Sequence, residues 1–453
     1  MLSGWSLMIF FTILIIVMVW AVSKLRLHPF LAIMGAALLL ALAALPLEDI
    51  PGSFSAGFAG TFSSLGLVII LGAMIGILLE KTGAALSMAD FVVRVVGKKH
   101  PDIAMLIMGW IVSIPVFCDS GFVILNPIRK ALARRTGYPA VTLAVALSAG
   151  LYTAHVFIPP TPGPVAAAGH LGLENNMLLV IGIGVLISIP VLLAGWLFAG
   201  WVGKRVTAED NDTEISYQEL IQSSGKLPPA WIAFLPIALP VILMAVKSVA
   251  ALLKISGPLG KLINFSGTPM MALTGGLIIA IIMLFTSGKG EDFYKLADDT
   301  LKTVGPILFV TAGGGVLGKI ISDAGIVSHI IKNIPGLSGF GVFFPFLIAA
   351  ILKTSQGSST VAITTTVGIM GVYSAENSLM AVLGLNTQLS AALTVMAIGA
   401  GAMTVSHAND SYFWVVTKFS NLKVQDGYRT QTLCTLVMGI TAIVFIWLFE
   451  MLI

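Results

Sequence analysis

Charged residues are scarce in this chain. Asp, Glu, Lys and Arg make up 10% of its 453 residues, against about 25% in an average soluble domain. So little polar surface does not coat a water-soluble globule of this length. Soluble enzymes, nucleic-acid binders and disordered regulators are excluded on that ground. Cysteine is almost absent. Cys118 and Cys434 lie far apart in apolar surroundings, with no CxxC pair and no metal-ligand spacing, so neither a disulfide framework nor a structural zinc site is expected. A GxxxxGK[ST] phosphate loop, an HExxH pair and a GxSxG elbow are missing too. ATP-driven transport and familiar hydrolase chemistry lose their support, no cofactor is expected, and the chain does not read as an enzyme. The net charge of +4 is small and scattered among loops, which speaks against nucleic acid.

Apolar residues make up 57% of the chain, mean hydropathy is +0.99, and there are 47 glycines. Apolar stretches fall near 5–23, 29–46, 56–79, 103–127, 140–168 and 177–202. Six more fall near 230–253, 269–286, 303–322, 338–372, 388–415 and 431–453. A bilayer-crossing helix takes about 20 such residues. The polar stretch 204–229, with EDNDTE and QSSGK, reads as a linker. Residues 5–23 follow no basic region and precede Lys24 and Arg26, so they read as a membrane helix rather than a cleaved signal.

Threading these stretches through a bilayer puts nineteen of the 25 Lys and Arg residues on one side, which should be cytoplasmic. Among them are Lys98, Lys99, Arg129, Lys130, Arg134, Lys204 and Arg205. The 103–127 stretch then has basic residues on both flanks and is interrupted at Ile114-Pro115 and Asp119-Ser120-Gly121. That predicts a re-entrant hairpin. Residues 338–372, interrupted from Thr354 to Ser359, predict a second hairpin entering from outside. Irregular backbone at such depth is tolerated only where protein or a water-filled cavity satisfies it.

Each half then holds about five spans, a hairpin and a broken helix, and an odd span count inverts the second half. Gly72, Gly76 and Gly83 share their spacing with Gly314, Gly318 and Gly325 in the corresponding element. The expected fold is an all-α polytopic membrane protein of two inverted-topology repeats, 1–203 and 230–453, joined by a cytoplasmic linker at 204–229. Inverted repeats with broken helices mark secondary transporters that bind near the bilayer midplane.

Four polar clusters sit inside apolar stretches, where their cost marks them as functional. Asp119 and Ser120 stand in the first hairpin; the plainer reading of Asp119 is a helix cap. His155 precedes 158–164, Ile-Pro-Pro-Thr-Pro-Gly-Pro, which should be unwound around Thr161 because proline removes backbone donors. A histidine there could change charge near neutral pH, or serve only as a structural hydrogen-bonder. In the second hairpin, Gly357, Ser358, Ser359 and Thr360 offer amides for an anion and hydroxyls for a sugar or a small cation. Lys353 beside them pairs with a carboxylate or snorkels. A second unwound segment, 405–411, holds His407, Asn409 and Asp410, suited to polyol hydroxyls and a proton relay, or equally to sodium.

At these residues the chain resembles the gluconate permease family of bacterial sugar-acid:proton symporters, over essentially its whole length. The motifs are HPF at His28 to Phe30, Phe117 to Phe122, PPxPGP at Pro159 to Pro164, GS[AS]TVA at Gly357 to Ala362 and SHxND at Ser406 to Asp410. Many relatives have histidine where this chain has Thr161. The resemblance implies import of gluconate or a related hydroxylated carboxylate (aldonate, glycerate or D-serine-like) with protons, by a homodimer in the bacterial inner membrane. Ser120, Thr161, Lys353, Gly357, Ser358, Ser359, Thr360 and Asn409 are the expected substrate contacts. Asp119, His155, His407 and Asp410 are the expected proton carriers. A sodium-coupled di- or tricarboxylate carrier is the alternative; a membrane-embedded enzyme is a remote one, lacking a paired nucleophile and base.

Overall fold

The computed structural model describes residues 2–23, 25, 27–96, 100–208, 227–326, 329, 337–407 and 410–452. All regular structure among them is helical. The first half runs α1 (Gly4–Ser23), α2 (Pro29–Ala44), α3 (Ile50–Lys81), α4 (Ala84–Val96), α5 (Pro101–Val112), α6 (Cys118–Thr136), α7 (Ala140–Phe157), α8 (Pro162–His170) and α9 (Met177–Val202). The second runs α10 (Ala230–Leu252), α11 (Gly257–Ser266), α12 (Pro269–Thr286), α13 (Phe293–Asp323), α14 (Phe343–Gln356), α15 (Ser359–Met370), α16 (Leu379–Val382), α17 (Gln388–Met403), α18 (Ser411–Phe419), α19 (Val424–Gly427) and α20 (Leu433–Glu450).

Six helical segments are long and apolar enough to cross a membrane, with α3 and α4, bent by 74°, as a seventh. This is fewer than the ten spans read from hydropathy. Several of the remaining apolar stretches form helices of 10–17 residues, including α5 in the first interrupted hairpin stretch and both α14 and α15 in the second. Lipid-facing side chains cover the outside: Ile9, Ile13 and Ile16 on α1, and Ile189, Leu193 and Leu197 on α9, are exposed. Trp5, Trp201 and Trp231 are exposed as well, as an interfacial belt requires. Every residue of α7 from Val141 to Phe157 is buried.

The interruptions are narrower than the sequence suggests. α5 stops before Pro115, and Ser113 Oγ holds the turn by donating to the Val116 carbonyl at 3.0 Å. α6 starts at Cys118, so Asp119-Ser120-Gly121 is helical rather than broken. Only proline forbids helix there, and an acid is favoured in a first turn. Likewise α14 continues through Gln356, and only left-handed Gly357 (φ 91°) and Ser358 separate it from α15. Ser358 caps α15 by accepting the Val361 N–H at 3.3 Å. In the proline run, helix resumes at Pro162, inside the stretch expected to be unwound, because a first turn accepts proline. Ser411 already belongs to α18.

Helices close on these interruptions through glycine. On α3, a Cβ at Gly76 would overlap the Pro115 carbonyl oxygen. On α13, a Cβ at Gly318 would overlap the Gly368 carbonyl oxygen of α15. Gly83 and Gly325, ending α3 and α13, both adopt positive φ, 77° and 68°. Gly76→Ala should therefore lower stability by about 1–3 kcal/mol. Gly52→Ala on the same helix meets nothing within 4 Å and is the control. Melting temperatures of the two purified variants check this; equal values would show that α3 gives way freely.

Candidate functional site

Lys353 lies in the last turn of α14 and is fully buried. Its ammonium donates to Asp410 Oδ2 at 2.6 Å and to the Gly357 carbonyl, and stands 5.6 Å from the ring centre of Tyr152. Asp410 is held from three sides. Ser406 Oγ donates to the same Oδ2 at 2.5 Å, and the Tyr412 N–H donates to Oδ1 at 3.0 Å. Asp410 is thus both the counter-ion of Lys353 and the N-cap of α18. A buried pair so placed persists because its remaining lone pairs and protons are also satisfied.

Asp119 enters the same volume from the first turn of α6. Its Oδ1 is buried without a hydrogen-bond partner among the described residues, and Oδ2 is 3.7 Å from Cys118 Sγ. Ser411, Asp410 and Lys353 are its polar surroundings. Asp119 thus stands near the Lys353–Asp410 pair, with no ion-pair contact of its own to Lys353 among the described residues.

Below this trio lie aromatic rings. Tyr152 and Tyr412 pack with centroids 5.1 Å apart. The Tyr152 hydroxyl reaches the Ala402 carbonyl at 3.4 Å, and the Tyr412 hydroxyl donates to the Ser148 carbonyl at 3.2 Å. His155 stacks on Tyr152 at 6.3 Å, with Phe117 at 6.1 Å, and its Nδ1 is buried and unpartnered among the described residues. Neither tyrosine stands out in the sequence. Their signal is weak: Tyr152 precedes His155 by one helical turn, and Tyr412 follows Asp410 by two residues.

The structure places Lys353, Asp410, Asp119 and His155, all singled out in the sequence, near one another. Ser358, Ser359 and Thr360 open α15 next to them, with Ser359 near the Tyr152 hydroxyl. Ser120 is half-buried beside Asp119. Two expected residues are engaged elsewhere. His407 Nε2 contacts the Thr354 carbonyl at 2.9 Å, and no hydrogen bond joins its ring to either carboxylate among the described residues. Thr161 Oγ1 donates to the Ile158 carbonyl at 2.6 Å, closing its own turn. Asn409 lies outside the described residues.

An all-helical, multi-pass protein with a buried charge cluster set between broken helices belongs to the membrane transporters. The chain matches the GntP family permease model over residues 6–452 and belongs to that family. It is 33% identical to "Inner membrane permease YgbN" of Escherichia coli K12, over 96% of each chain. It is 28% identical to "Gluconate permease" of Pseudomonas aeruginosa, again over 96% of each. The YdaH transporter of Alcanivorax borkumensis shares the fold at a TM-score of 0.61 and 15% identity, covering 96% of this chain and 97% of its own.

Proposed function

We propose that this protein imports gluconate or a related small hydroxylated carboxylate by proton symport across a bacterial inner membrane. The observation that supports this best is the buried trio of Lys353, Asp410 and Asp119. A carboxylate substrate would meet Lys353, the one ammonium in the trio, in competition with Asp410. Its hydroxyls would meet Ser120, Ser358, Ser359 and Thr360, with Asn409 at the second broken helix. An added anion leaves the site with one more negative charge at a depth where unpaired charge is costly. One bound proton on Asp119 or Asp410 would offset it. Anion and proton would then cross together because each removes the other's charge.

The two halves would be inverted repeats, divided by the 204–229 linker, with hairpins at about 103–127 and 338–372 entering from opposite faces. The matched roles of Gly76 with Gly318 and of Gly83 with Gly325 support this. A homodimer follows from the family resemblance.

Uptake of labelled gluconate into proteoliposomes under an imposed pH gradient, without sodium, tests the function. Concentrative uptake that a protonophore abolishes is expected, with unlabelled aldonates competing. Uptake that appears only when sodium is added would replace the proton with sodium.

A further inference from the structure

The second broken helix carries a strained residue. Three residues other than glycine adopt positive φ among the described residues: Lys254, Val405 and Asn421. Asparagine tolerates that region, and Lys254 is exposed just beyond the end of α10. Val405, at φ 56°, is β-branched, so its side chain crowds the backbone there. Such a residue persists only where its surroundings over-determine it, and residues of this kind cluster at functional sites.

Val405 is caught between two anchors. On one side Thr404 is fixed to the end of α17. Its N–H and its hydroxyl both donate to the Ala400 carbonyl, at 3.1 and 2.7 Å. On the other side the Ser406 N–H donates to Thr435 Oγ1 of α20 at 3.0 Å. The Thr435 hydroxyl gives its own proton to the Thr432 carbonyl at 3.0 Å, so its oxygen faces Ser406 as an acceptor. Ser406 and Thr435 are both buried. One turn further along α20, Gly439 lets Thr404 approach, since a Cβ there would overlap Thr404 Oγ1. The Thr432 carbonyl belongs to a single π-helical turn, Tyr428–Thr432, of a kind frequent at functional sites. Gln431 of that turn accepts the Ser148 hydroxyl at 2.6 Å, which ties the start of α20 to α7.

We infer that Thr435 is a positioning residue for the buried charges. It holds Val405 left-handed, which turns Ser406 so that its hydroxyl meets Asp410. Ser406 Oγ and the Lys353 ammonium donate to the same Asp410 Oδ2, at 2.5 and 2.6 Å. An ammonium on a flexible stem imposes little direction on its partner. The hydroxyl, fixed by the backbone beside it, supplies that direction and takes part of the oxygen's accepting capacity away from Lys353. Lys353 is then easier for a carboxylate substrate to share. Released from Thr435, Val405 would return to an ordinary conformation and the Ser406 hydroxyl would turn away. Asp410 would then hold Lys353 alone, and the substrate would compete for it less well. The last step rests on the transport reading; the positioning of Ser406 and Asp410 does not, so the two are measured separately.

Hydrogen exchange of the Ser406 amide, read by mass spectrometry on the purified full chain, tests the positioning. Thr435→Val keeps the shape and removes the acceptor, so exchange should quicken by about tenfold, the value of one buried hydrogen bond. Thr435→Ser keeps the oxygen and should exchange as wild type does. In uptake of labelled gluconate, Thr435→Val should raise KM by about tenfold with the maximal rate per folded protein unchanged, and Thr435→Ser should restore it. In a Val405→Gly background positive φ carries no strain, so the same Thr435→Val change should raise KM by less than about threefold. A merely structural threonine would lower the amount of folded protein instead and would cost the same in both backgrounds. Equal exchange in wild type and Thr435→Val overturns the positioning. An unmoved KM overturns its bearing on the substrate, and an equal rise in both backgrounds overturns the part given to Val405. If wild type takes up no gluconate, the transport reading fails, and the exchange rates still decide whether Thr435 positions Ser406.

Discussion

Asp410→Ala is expected to abolish uptake and to destabilise the protein by about 3–5 kcal/mol, the cost of leaving one member of a buried ion pair alone. The substitution strands the Lys353 ammonium with the Gly357 carbonyl as its remaining hydrogen-bond acceptor among the described residues. It also takes the acceptor from Ser406 Oγ and removes the cap of α18, itself worth about 1 kcal/mol. Replacing both partners, Lys353→Met with Asp410→Leu, should recover much of the lost stability, because an apolar pair of similar volume does not carry the desolvation cost. Uptake should stay absent in the double variant. Melting temperatures and uptake measured on both separate the two roles. An Asp410→Ala protein that melts like wild type would mean the pair contributes no net stability. A double variant that still takes up substrate would remove both residues from the binding site.

Asp119→Asn should separate coupling from binding. Asparagine keeps the shape of the side chain and removes the negative charge, so under the proposed mechanism substrate should still be accommodated while no proton is carried there. Counterflow of labelled against unlabelled gluconate should persist without any gradient. Accumulation driven by a pH gradient should collapse. One proton per substrate across one pH unit supports about tenfold accumulation, since a unit of pH is worth about 1.4 kcal/mol. The variant should therefore equilibrate where wild type concentrates. Accumulation equal to wild type would transfer the proposed proton to another group, with His155 next in line by its buried Nδ1, which has no hydrogen-bond partner among the described residues.

The positions of the polar clusters were legible because polar side chains inside long apolar stretches are rare and costly. Their partnerships were less so. Lys353 had two readings, a carboxylate partner or a snorkelling stem, and the pairing with Asp410 across 57 residues of sequence decides between them. Tyr152 and Tyr412 were invisible because an aromatic in an apolar helix normally reads as packing. Arg129, counted at the aqueous edge yet buried, shows the limit of charge counting, which assigns a side of the membrane but no depth. The breaks were overestimated where residues that permit a turn, such as Asp119-Ser120-Gly121, stood next to the one residue that forces it.

The enclosure of α7 has a consequence for how the chain is made. As an apolar segment of 31 residues with α8, it qualifies for the bilayer on composition alone, yet its final surroundings are protein on every side. It must first be accepted by lipid and only later be surrounded. Its hydroxyls suit both stages. Thr153 Oγ1 donates to the Ala149 carbonyl one turn back at 2.7 Å, a bond available in an isolated helix. Ser148 instead donates to Gln431 at 2.6 Å, from a segment synthesised 283 residues later. Until that glutamine is made, Ser148 has to do without its final partner, so the assembled core is complete only once the last helices have been laid down.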